Sequence, residues 1–338
     1  MAGKAETTEA GADHRQDAER GRFADRPEEI PPRGWKDILV RLYYKFWEDR
    51  AMLVAGGVTY YLLLALFPAL AVFVSLFGLI ADPVSVVESA GALEGLLPDD
   101  AMQIITRELG DLAAQDAGAL GLGLVLSLVF AFWTANNGVK AIFEALNIAN
   151  GEQEKRSFLR LHLVTFAFTF GGFLLAAVLV FAVALVPVVL AVIDLGPLAD
   201  GAVRAMRWAL LLPIFTAVIA LLYRYGPSRE PATWRWLSWG SVMATVVWVA
   251  ASAGYSIYLR NFADYQATYG SLGALVGFLL WIWLSVLILI VGAQVNAEME
   301  HQTRRDTTQP PDEPMGSRGA YMADTLGEPA EHVGTSPG

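Results

Sequence analysis

Long uncharged runs alternate along this chain with short polar connections, and the lengths of the runs set the first expectation. The run at 51–80 holds no ionisable side chain apart from Tyr60 and Tyr61, and about 20 apolar residues suffice for a helix to cross a roughly 30 Å hydrocarbon layer. Runs at 119–139, 163–193, 208–223, 236–258 and 272–295 have the same character. The pattern predicts an all-α, polytopic helical membrane protein with about six transmembrane helices.

The connections carry the orientation. Residues 1–32 mix both charge signs without hydrophobic periodicity and hold no apolar run that could act as a signal peptide; such a stretch cannot bury enough surface to offset its ordering entropy. It is predicted to be a disordered cytoplasmic tail, ahead of a membrane domain at 33–302 and a second disordered cytoplasmic tail at 303–338. Within 34–50, Trp35, Ile38, Leu42, Tyr43, Phe46 and Trp47 recur at helical spacing among Lys36, Arg41, Lys45 and Arg50. That is the signature of a basic amphipathic helix at the lipid surface. Segment 81–118 sets eight acidic residues against Arg107 alone, which marks an exported loop. Ile105, Leu109 and Leu112 within it share a face, so a short amphipathic helix is expected against the outer membrane surface.

Lys and Arg concentrate at 33–50, 140, 155–160, 224–235 and 304–305, fourteen in all, against Arg107, Arg204, Arg207 and Arg260 in the segments placed on the other side. Cations in short loops are retained in the cytoplasm, so both termini are expected on the cytoplasmic side.

Composition narrows the chemistry. With 55% hydrophobic and 17% charged residues, the 338-residue chain is too apolar for a soluble core. The absence of cysteine removes disulfides, thiol nucleophiles and thiolate metal sites. A net charge of −10 would ordinarily argue against a nucleic-acid partner, and none is expected, but much of that charge lies in the two tails and the 81–118 loop and says little about any binding surface. His14, His162, His301 and His332 are scattered, and neither H-E-x-x-H, G-x-x-x-x-G-K-[ST] nor G-x-S-x-G occurs. No enzyme, no metal and no cofactor is expected.

The candidate residues are therefore polar groups beside the spans. Asn136, Asn137, Lys140, Glu144 and Asn147 form the densest group, and polar side chains at a membrane mark either a pathway or a helix contact. Lys140 and Glu144 stand four apart and could pair. Gln294 and Glu298, at and just past the end of the last run, share a face and would meet that group if the second and sixth spans were neighbours. All seven are candidate pathway or lipid-headgroup contacts. Pro68, inside the first run, is a candidate hinge, because proline frees a backbone carbonyl.

The stretch Ala55-Gly-Gly-Val-Thr-Tyr-Tyr-Leu-Leu-Leu-Ala-Leu-Phe-Pro-Ala-Leu70 resembles the YihY/virulence factor BrkB family of bacterial inner-membrane proteins. Trp133 with Ala145-Leu-Asn147, Leu222-Tyr-Arg-Tyr-Gly-Pro-Ser-Arg229, Tyr269-Gly-Ser-Leu-Gly273 and Gly292-Ala-Gln-Val-Asn-Ala-Glu298 extend the resemblance. Gln294 stands where relatives often carry an acidic residue. The resemblance implies a polytopic inner-membrane protein; members have been linked to serum resistance, to a ribonuclease label and to export of a lipopolysaccharide precursor. Two functions are carried forward. One is binding or translocation of a lipid-like or amphiphilic envelope molecule, with membrane lipids as partners. The other is a non-catalytic scaffold that docks envelope proteins.

Overall fold

The computed structural model describes residues 14–78, 102–107, 110, 122–193, 199–261 and 272–334. Apart from one isolated antiparallel bridge between Ala232 and Thr308, its regular structure is helical. The elements are a 3-10 turn at Pro27–Glu29, then α1 (Pro32–Glu48), α2 (Ala51–Gly78), α3 (Leu122–Ala149), α4 (Phe158–Ile193), α5 (Ala199–Tyr225), α6 (Trp234–Asn261), α7 (Gly273–Glu300) and a short α8 (Tyr321–Asp324). Among the described residues four stretches are long and apolar enough to cross a membrane: Phe158–Ala176, Trp208–Tyr225, Trp234–Leu259 and Gly273–Glu300. Counting the bent pair α1 and the first part of α2 as one span makes five.

The helices α2 to α7 each touch their neighbours in chain order, and α7 returns to α2, so they close a ring. The inner faces merge in one cluster that includes Ala55, Val58, Leu146, Tyr223, Ala244, Ile282 and Ile290. The outer faces are equally apolar, with Leu53, Phe130, Leu174 and Val246 exposed. This is the expected state of a bundle whose solvent is as apolar as its interior, where close van der Waals packing, not hydrophobic burial, joins helices. At the α6–α7 crossing, a Cβ on Gly292 would collide with the Tyr223 hydroxyl and lie 2.9 Å from the Ala244 Cβ. Nothing larger than glycine fits there. Asn296, one turn on, locks the crossing by accepting from the Gly240 amide at 2.9 Å.

Several boundaries differ from expectation. The fourth long helix begins at Ala199 instead of 208, so Arg204 and Arg207 lie in α5 and not in a turn. The last helix runs through Glu298 to Glu300, past the polar transition in the sequence. Of the loop at 81–118, residues 102–107 are helical and Ile104 packs on the ring's core; apart from residue 110 the rest lies outside the described residues, as does most of the link at 260–269. α2 continues through Pro68 as one helix. The sharp bend, 58°, falls instead where α1 meets α2. There Arg50 takes a left-handed φ of 50°, a backbone state that costs a non-glycine residue roughly 1–2 kcal/mol.

Composition also predicts two disordered tails, and residues 14–32 and 303–334 depart from that. They pack against α1, α7 and each other, forming a polar cap on one end of the ring. The physical reason is that their partners lie outside their own stretches. Ala24 and Ile30 join Ile38, Trp236, Val295 and Met299 in an apolar cluster that the first tail could not build alone. Arg22 donates to the carbonyls of Gln302 and Gly327 at 3.1 and 2.6 Å. Arg318 donates to the carbonyls of Glu313, Arg305, Ala323 and Arg304 at 2.7–3.1 Å. α1 is amphipathic, but its inward face carries charge: Asp37 and Arg41 are buried with Ile38, while Leu39, Tyr43 and Trp47 are exposed.

Candidate functional site

The ring's helices line an open chamber of about 590 Å³. Each of the six helices contributes to its wall, including Leu66, Val139, Phe173, Phe215, Trp248 and Trp281. Among the described residues no ionisable side chain lines it. Its two hydroxyl residues have their protons committed: Thr169 donates to Thr165 at 2.8 Å and Ser285 to the Trp281 carbonyl at 2.8 Å. The indole N–H of Trp248 goes to Ser285 at 2.9 Å. Phe215, Trp248 and Trp281 stand in contact along one wall, with ring centroids 4.6 and 5.9 Å apart. Such a wall accepts hydrocarbon and offers little to a free ion.

A second space of about 450 Å³ lies between α2, α3, the 150–157 loop and the start of α4. Gly57 and Tyr61 line it from α2, Asn137, Lys140 and Glu144 from α3, Glu154 from the loop and Leu161 from α4. Lys140 does not pair with Glu144. Its ammonium reaches His162 Nε2 at 2.9 Å and lies 5.1 Å from the Trp133 ring centroid. His162 Nδ1 sits 2.8 Å from the Phe158 carbonyl. A carbonyl can only accept, so Nδ1 carries the proton and Nε2 accepts from Lys140. Glu144 is exposed and has no cation within reach among the described residues.

Glu154 is different. Arg156 grips both of its oxygens at 2.7 Å and Asn147 donates to it at 3.2 Å. Burial pushes this carboxyl up, but those donors outweigh it and hold it down at about 2.

The seven candidate residues thus occupy four places. Asn137, Lys140 and Glu144 line the second space. Asn136, fully buried, places its side-chain amide oxygen 3.1 Å from the Thr169 hydroxyl, whose proton goes to the Thr165 carbonyl, and its Nδ2 has no partner among the described residues; its neighbours Ala135 and Thr169 line the chamber. Asn147 ties two loops, accepting from the Ser228 amide at 2.7 Å while donating to Glu154. Gln294 and Glu298 turn away from this group. Although α3 and α7 do touch, Gln294 donates to Asp49 at 2.8 Å and Glu298 receives Arg41 at 2.6 Å. Among the described residues, no group of three His, Asp or Glu side chains is placed to hold a metal.

Sequence reasoning passed over the cap. Arg41 donates to Glu298, Gln302 and the Glu328 carbonyl, and Arg229 pairs with Glu300 at 2.5 Å, both nearly inaccessible. Arg224 meets the Ala232 carbonyl, and Tyr223 donates to the Leu289 carbonyl at 2.8 Å. The stretch 222–229 is therefore a clasp joining α5 to α7 and the cap. Its crowding of Tyr, Arg, Gly and Pro at a helix end was the available signal.

A closed ring of apolar helices with lipid-facing flanks, capped at one end by a buried polar layer, defines a multi-pass membrane protein. The family model for virulence factor BrkB matches residues 42–316, and the chain belongs to that family. It is 29% identical over 286 residues to a Bacillus subtilis (strain 168) protein whose name includes "ribonuclease-like protein YfkH", covering 81% of this chain and 98% of that one. It is 32% identical to the UPF0761 membrane protein RSc1559 of Ralstonia nicotianae, over 75% of this chain and 56% of the relative. It is 27% identical to the UPF0761 membrane protein AZOSEA40600 of Aromatoleum aromaticum, over 80% and 65%. The chain thus spans nearly all of YfkH but less than two thirds of the other two. No solved structure matches it.

Proposed function

We propose that this protein binds, and passes across the bacterial inner membrane, a lipid-like or amphiphilic molecule of the cell envelope. The single observation behind this reading is the chamber: about 590 Å³ of open space lined by all six helices, with no ionisable side chain on it among the described residues. Its size falls within the usual range for small-molecule sites, about 300–1,000 Å³. In the same reading all six ring helices cross the bilayer, with the cap and both termini in the cytoplasm. The cation asymmetry supports that orientation. So does the bonding of the terminal segments to each other and to the 150–157 and 226–233 loops at one end of the ring.

Gly172 supplies the test. It lines the chamber, and a Cβ there would meet nothing within 4 Å. A Gly172→Trp variant can therefore project into the chamber without a clash at its base. Native mass spectrometry of the purified protein should show a co-purifying amphiphile on the wild type and an occupancy reduced by about tenfold in the variant, with elution volume unchanged. Equal occupancy of the two proteins, or no amphiphile on either, refutes the reading.

A further inference from the structure

The second space has a feature that the chamber lacks: it holds two opposite charges, and the structure keeps them from neutralising each other. Lys140 and Glu144 lie one turn apart on α3, about 6 Å along the axis, yet they do not bond. Their order is part of the cause, since Lys ahead of Glu is the weaker i,i+4 arrangement. The other part is His162. Held in its Nδ1–H tautomer by the Phe158 carbonyl, it offers Nε2 to the ammonium at 2.9 Å. Lys140 has three N–H donors, and the other two have no protein acceptor among the described residues. Glu154, the remaining carboxylate on the wall, is already neutralised by Arg156. The space therefore presents one uncompensated cation and one uncompensated anion to whatever enters it.

We propose that this space is a headgroup site for a phosphoethanolamine zwitterion, supplied by an aminophospholipid of the surrounding bilayer. The phosphate sits at Lys140, with Asn137 beside it, and the primary ammonium donates to Glu144. An anionic glycerol headgroup meets the Glu144 charge with nothing to offset it. A quaternary ammonium has no N–H to donate to a carboxylate and is recognised instead by aromatic cages. The surroundings suit a lipid. Trp133, Phe158, Leu159 and Leu163 are exposed around the Lys140–His162 pair, giving acyl chains an apolar flank, and Tyr60 and Tyr61 are exposed nearby in the manner of an interfacial aromatic belt. Gly57 leaves the floor open: a Cβ there would meet nothing within 4 Å. The site rests on the amphiphile reading only in drawing its ligand from the membrane.

The test uses the full-length protein in detergent, delipidated and then offered equal amounts of phosphatidylethanolamine, phosphatidylglycerol and phosphatidylcholine, with retained lipid counted by native mass spectrometry. Wild type should retain phosphatidylethanolamine about tenfold over the other two, the scale of one hydrogen bond to a charged group. Glu144→Gln should bring phosphatidylethanolamine and phosphatidylglycerol within about twofold of each other, and Lys140→Gln should lower retention of both about tenfold. Gly57→Leu, which fills the floor and raises helix propensity, should abolish the preference while elution and melting temperature hold. Adding glycerophosphoethanolamine separates the sources: displacement at concentrations comparable to the lipid assigns the site to a soluble zwitterion, and lack of displacement assigns it to the lipid. Equal retention of the three lipids by wild type, or a preference that survives both Glu144→Gln and Gly57→Leu, overturns the proposal. Gly172→Trp should leave this preference intact, so failure of the chamber and failure of the headgroup site give different patterns.

Discussion

Replacing Arg41 by methionine would show what holds the cap to the ring. The guanidinium makes four bonds: Nε to the Glu298 carboxylate at 2.6 Å, Nη2 to Gln302 Oε1 at 2.7 Å and to the Glu298 carbonyl at 3.3 Å, and Nη1 to the Glu328 carbonyl at 3.0 Å. Both ion-pair side chains are at most 7% exposed. Methionine keeps the alkyl stem and removes the charge, leaving the Glu298 carboxylate buried without its cation. Breaking a buried pair in this way costs about 3–5 kcal/mol. The three bonds to neutral acceptors are lost with it and add to that cost.

The cap, not the ring, should open first, because Arg41 links α1 to the chain beyond 300. Limited proteolysis at 303–334 in the purified protein reads that opening directly. A loss of about 3 kcal/mol should speed cleavage by about 100-fold or more when opening is fast and reversible. The double variant Arg41→Met with Glu298→Gln is the decisive companion. An amide demands no cation, so the double variant should recover about 2 kcal/mol relative to the sum of the singles. Additive effects, or a single variant that cleaves within threefold of wild type, would refute the account of Arg41 as the strut.

Gly292→Val should loosen the α6–α7 crossing, since its side chain must displace the Tyr223 hydroxyl from the Leu289 carbonyl and press on Ala244; a cost of about 1–3 kcal/mol is expected from thermal melting in detergent, and a melting temperature equal to wild type would contradict it. Glu154 makes stability pH-dependent with a definite sign. Its carboxyl is held down at about 2 from an ordinary 4.5, so its contribution is complete above about pH 4.5 and is lost as pH falls towards 2. With the side chain 22% exposed, the Arg156 contact is worth at most about 3 kcal/mol. Glu154→Gln should therefore flatten the acid limb of a stability-against-pH curve between pH 4.5 and 2; an unchanged limb would show that this carboxylate does not carry it.

The apolar runs were legible because a membrane imposes a length that few other structures require. From them alone follow an all-helical chain and helices near each run. The polar motifs were legible as places and not as contacts. Lys140 could be placed beside a span, but Glu144 was its nearest conceivable partner, and His162, 22 residues away, carried no local sign of being the real one. The tails at 14–32 and 303–334 were misread because each is too polar to fold by itself; the surfaces that order them belong to α1 and α7.

What the sequence determined by itself was which segments can leave water, since that depends only on the free energy of burying a helix's own side chains. What the tertiary structure decided was which face of each helix turns inward. In α4 and α7 the apolar residues run right around the helix, so neither lipid nor chamber is preferred by composition. The choice falls to small residues such as Gly292, which let backbones approach, and to buried pairs such as Arg41 with Glu298, whose partners are 257 residues apart. The chamber and the split Lys140–Glu144 pair exist only after those contacts have closed the ring.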